Sequence, residues 1–166
     1  APPIRPVTIG TGGNAIKIGG ETVLFRHEKR FENPAGVALL IGDSMEDSEV
    51  DARLERFKLF QYERVGLHLR PELIAVKDES GDAVKFSALV TRVVQNSDAA
   101  IILMSDNPEI MAAGVKVCAD RKPLIYAAAK DNMDSMAKLA KENKCPLGVK
   151  ASGLEELAEM TGKLTE

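Results

Sequence analysis

The sequence predicts an α/β protein, an N-terminal β-hairpin followed by about five βα units of a partial TIM-type (β/α)8 barrel, on three observations. Near-continuous apolar runs begin near residues 37, 73, 99, 123 and 146, each followed by an amphipathic stretch, so strand and helix alternate at βα-unit spacing. No Gly-x-Gly-x-x-Gly turn follows any of these runs, which counts against a doubly wound dinucleotide fold. Short strand-like words separated by glycine turns precede the first unit.

The elements follow in order. "VTIG", "AIKI" and "TVLFRH" read as short strands broken by the turns "TGGN" and "GGE". Gly12, Gly13, Gly19 and Gly20 are turn residues, because none leads from a buried strand into a helix as a phosphate cradle requires. "VALLIGDS" is the first buried strand, and Val50, Leu54, Phe57 and Leu59 among charges predict a helix over roughly 47 to 66. "ELIAVKDES" and "AVKFSALVTRVVQ" form the second unit. "AAIILMSDN" is the third strand, after which Asn107 caps a helix that Pro108 opens and that runs to about Ala119. "PLIYAAAKDN" is the fourth, with Asp131 or Asn132 capping "MDSMAKLAKEN". "CPLGVKAS" is the fifth, where Ser152 and Glu155 give a capping box for "LEELAEMTGKL". Residues 1 to 36 thus form an entry segment and 37 to 166 the first part of a barrel. A complete barrel needs eight units and about 250 residues. The expectation is a piece of a longer protein with three units still to come, or an open five-stranded sheet that mimics one.

Composition narrows the function classes. A chain of 166 residues buries enough surface to fold without disulfides or metal. Its net charge of -3, with 22 basic residues scattered among 25 acids, lacks the dense basic face that nucleic acid requires. No run of about 18 apolar residues suggests a membrane span. Cys118 and Cys145 have no metal-ligand spacing and read as core thiols in a reducing cytoplasm. The chain begins with Ala rather than Met, so its natural N-terminus is expected upstream.

Ligands of barrels and open α/β sheets bind at the carboxyl ends of the strands. That rim carries Asp43 and Ser44, Lys77 and Asp78, Ser105 with Asp106 and Asn107, Lys130 with Asp131 and Asn132, and Lys150 with Ser152. Asn107, Asn132 and Ser152 fit helix capping. Asp43, Asp78 and Asp106 suit capping less well, and Lys77 stands where it could pair with one of them, so these four are the candidate rim contacts. No nucleophile has a base beside it. His27 and His68 lack metal-ligand spacing, and Met111, Met133, Met136 and Met160 fit helix-face packing. No catalytic or metal-binding residue is assigned.

Longer words carry a resemblance. "APPIRPVTIGTG", "GGETVLFRHEKRFENPAG", "LIAVKDESGD", "SDAAIILMSDNPEIMAAGV" and "KPLIYAAAKDNMDSMAKLAKENKCPLGVKA" resemble the large (gamma) subunit of the corrinoid iron-sulfur protein in the acetyl-CoA synthase/decarbonylase system, over essentially the whole chain. The resemblance implies a parent of three parts: an N-terminal [4Fe-4S] domain, a middle barrel that contacts a small (delta/beta-type) subunit, and a C-terminal cobamide domain. Such a carrier takes a methyl group from a methyltetrahydropterin methyltransferase and delivers it to acetyl-CoA synthase, in anaerobic carbon fixation. The four-cysteine motif and the corrinoid domain are absent from this sequence, so no cluster or cobalt ligand carries over. The stretch is then expected to bind no cofactor itself, to be non-catalytic alone, and to act as scaffold and subunit contact. The rival from another class is a pterin-like small-molecule binder or enzyme using Asp43, Lys77, Asp78 and Asp106. A weaker third is an open α/β signalling domain with Asp43 or Asp78 as an acidic phospho-acceptor, disfavoured because the N-terminal hairpin has no place in it.

Overall fold

The computed structural model describes residues 6 to 20, 33 and 35 to 165. The expected hairpin is there: β1 (Val7–Ile9) pairs antiparallel with β2 (Ile16–Ile18). The third expected strand, "TVLFRH", and His27 lie outside the described residues. Gly10 turns the chain out of β1 at a φ of 88°, and its N–H donates to the Lys122 carbonyl at 3.0 Å. A side chain there would press on Ala100 at 3.1 Å, so the hairpin sits close against the sheet only because Gly10 has none. Ile9 and Ile16 pack with Leu73, Ala100, Ile102 and Leu124, which seats the hairpin under the amino ends of the strands.

Five strands form one parallel sheet: β3 (Ala38–Gly42), β6 (Leu73–Lys77), β7 (Ala100–Met104), β8 (Leu124–Ala128) and β9 (Leu147–Val149). They lie side by side in chain order with no reversal, unlike a doubly wound sheet, whose order reverses at its centre. The helices are α1 (Asp47–Leu59), α2 (Ala83–Asn96), α3 (Pro108–Cys118), α4 (Met133–Asn143) and α5 (Leu154–Thr165). The register aligns Ile41, Val76, Leu103 and Ile125 in one row, and all four join the core that α1 to α4 cover. The alternate row, Leu40, Ala75, Ile102 and Leu124, and the next, Gly42, Lys77, Met104 and Tyr126, point to the other face. No helix of the main core packs there, and Leu40 and Tyr126 remain 44% and 38% exposed. A sequential parallel sheet with helices on one face and an apolar second face is the arrangement of consecutive barrel strands.

The helix expected over 47 to 66 is corrected. It ends at Leu59, and residues beyond Phe60 form a second hairpin, β4 (Tyr62–Arg64) with β5 (Leu67–Leu69). Val65 and Gly66 occupy its two-residue turn at φ of 52° and 74°, the double positive φ that a type I′ turn requires. Tyr62, Glu63 and Arg64 face Leu69, His68 and Leu67 across a turn that puts a valine at positive φ, which valine rarely takes, so the sequence carries no ordinary turn signal there.

Capping explains the remaining ends. Asp82 caps α2 by accepting from the N–H groups of Val84 at 2.8 Å and Lys85 at 3.3 Å, and Asn107 caps α3 from Glu109 N at 2.9 Å, with Pro108 at the first turn as expected. Arg92 of α2 forks onto Asp51 of α1 at 2.7 and 2.9 Å and reaches Asp47 at 2.6 Å, tying the first two helices together. At the free edge of β3, Arg53 donates to the Leu40 carbonyl at 2.7 Å, and the Gly42 N–H donates to Met45 Sδ at 3.3 Å.

Candidate functional site

The rim is built by the loops that leave each strand. Asp43, just past β3, accepts three hydrogen bonds from the loop after β6: Glu79 N at 2.8 Å, Ser80 N at 2.9 Å and Ser80 Oγ at 2.7 Å. Gly42 leaves room for this loop, since a side chain there would strike the Glu79 carboxylate. Glu79 itself takes the Ser44 hydroxyl and the Lys77 ammonium, the latter at 2.9 Å. The Ser44 bond, and then Lys77, hold its carboxyl below the ordinary value of 4.5.

The next loops are joined the same way. Asp78 accepts from Gly81 N at 2.9 Å within its own turn and from Ser105 Oγ, past β7, at 2.7 Å. Ser105 is buried, and its oxygen also accepts from Asn107 N at 3.1 Å, so a polar group in a dry position is fully used. The Asp106 carbonyl then accepts from Asn132 Nδ2 at 2.8 Å, and Asn132 Oδ1 accepts from Ala129 N at 2.7 Å. Lys150 N, after β9, donates to the Ala128 carbonyl at 2.8 Å. The loops after β3, β6, β7 and β8 are thereby stitched in turn, and the β8–β9 ladder carries on at Lys150.

The four candidate contacts therefore sit on one rim but in different states. Asp43 and Asp78 are acceptors within the loops, Lys77 is paired with Glu79, and the exposed Asp106 carboxylate has no partner among the described residues. Glu79 and Ser80, which sequence reasoning did not single out, carry the first junction; the "DES" after an apolar run was their only signal. Two capping expectations are corrected. Asn132 spends its side chain on Ala129 and Asp106 rather than on α4, and Ser152 bonds Glu156, not Glu155, through both its N–H and its hydroxyl at 2.8 and 2.5 Å. A helix that starts at Leu154 puts Glu156 rather than Glu155 one turn on from Ser152.

The donor chemistry is that of a frame. Cys118, the last residue of α3, is buried and its thiol is pushed up to about 12, by burial first and then by Cys145 and Asp120. Burial also pushes the Cys145 thiol up. Both are neutral thiols in the core at neutral pH. Among the described residues no group of three His, Cys, Asp or Glu side chains could hold a metal ion, and no helix is long and apolar enough to cross a membrane.

Comparison with known proteins decides the family. Residues 6–166 match the model of the CO dehydrogenase/acetyl-CoA synthase delta subunit family. The chain belongs to that family. Its relatives include the corrinoid/iron-sulfur protein large subunit of Moorella thermoacetica, 40% identical over 164 residues, which are 99% of this chain and 37% of the relative. The acetyl-CoA decarbonylase/synthase complex subunit gamma of Methanopyrus kandleri is 39% identical over 161 residues, 96% of this chain and 35% of its own length. That of Archaeoglobus fulgidus is 38% identical over 160 residues, 96% and 34% respectively. The resemblance read from the sequence words is thus to the right family. The chain spans little more than a third of the curated relatives it matches.

Proposed function

We propose that this chain is the barrel scaffold of a corrinoid iron-sulfur methyl carrier. The whole carrier takes a methyl group from a methyltetrahydropterin methyltransferase and delivers it to acetyl-CoA synthase in the cytoplasm. The observation that carries this reading is 40% identity, across 99% of the chain, to a protein named as the large subunit of a corrinoid/iron-sulfur protein. The parent's cofactors are a cobamide and a [4Fe-4S] cluster. The residues present here do not fit either group, because both cysteines are core thiols held protonated and the only described histidine, His68, is exposed on β5. No step of methyl transfer is therefore routed through this stretch.

Its contribution is mechanical. The sequential strand order and one-sided helices support a (β/α)8 barrel completed by chain beyond this stretch. The stitched rim keeps the loops of one barrel end in fixed relation, as a platform must that holds cofactor domains and a small subunit in register for transfer. Each rim bond contributes about 1 kcal/mol net, and those to carboxylates somewhat more. The test is methyl acceptance by the full-length carrier bearing Asp43→Asn, Asp78→Asn or Asp106→Asn. A scaffold rim predicts unchanged affinity for a methyltetrahydropterin and unchanged cobalt methylation wherever the protein stays folded. Pterin binding by the carrier that is lost in Asp78→Asn and Asp106→Asn would replace the scaffold reading with the small-molecule one.

A further inference from the structure

We draw no further inference here: the strongest candidate, the apolar groove walled by the β4–β5 hairpin, the end of α1 and the start of β3, carries nothing, because nothing in the structure shows what covers it.

Discussion

Asp43, Asp78 and Asp106 look alike in the sequence, each ending an apolar run, yet the structure gives them three, two and no side-chain hydrogen bonds among the described residues. The stability cost of alanine should follow that order. Asp78→Ala removes the 2.7 Å acceptor of the buried Ser105 hydroxyl, leaves it only the Asn107 carbonyl at 3.4 Å, and should cost about 1–3 kcal/mol in urea unfolding. Asp43→Ala should cost at least as much, and Asp106→Ala should stay within about 0.5 kcal/mol of the parent. A second residue-scale expectation concerns pH. The folded state holds the Cys118 thiol at about 12 against an ordinary 9.0, so below 9.0 the thiol is neutral in both states and its contribution is intact. Above 9.0 the unfolded chain releases the proton that the folded chain keeps, and stability falls by about 1.4 kcal/mol per pH unit until the folded thiol ionises. Urea midpoints measured between pH 8 and pH 10.5 should fall more steeply in the parent than in Cys118→Ala. The identities of the rim residues were legible from sequence, but not which partner each would take. Asn132 and Glu79 find theirs on neighbouring loops that only the folded sheet brings close.

At the scale of elements, hydrophobic periodicity was sufficient for the sheet and its helices. Runs such as "LIAVK" and "AIILM" are buried on both faces, or nearly so, and each is followed by a helix with one apolar stripe. The hairpin β4–β5 was hidden because it is three residues a side and turns on a valine. That valine carries the strain of a β-branched side chain at positive φ. Val65→Asn, which suits the first position of a type I′ turn before Gly66, should stabilise the hairpin by about 0.5–1 kcal/mol. Slower amide exchange at Tyr62 to Leu69 is the readout. Unaltered exchange would mean that the turn is not what limits the hairpin.

At the scale of the molecule, the sheet has a finished side and an unfinished one. Helices cover the rows of Ile41 and Ile74, while Leu40, Ile102, Met104 and Tyr126 line a face that no helix of the main core covers. The isolated 166-residue chain should therefore self-associate in sedimentation and bind an apolar dye, and both properties should vanish in the full-length polypeptide. Barrel closure could not be deduced from five units, since a parallel sheet open at both edges has the same local signals. The measurement that bears most directly on the central claim is the intact mass and visible absorption of the natural polypeptide that contains this sequence. The account predicts a chain about three times as long as this one, with cobamide and iron-sulfur bands that remain when Asp43, Asp78 and Asp106 are replaced. A colourless natural chain of 17.9 kDa would contradict it.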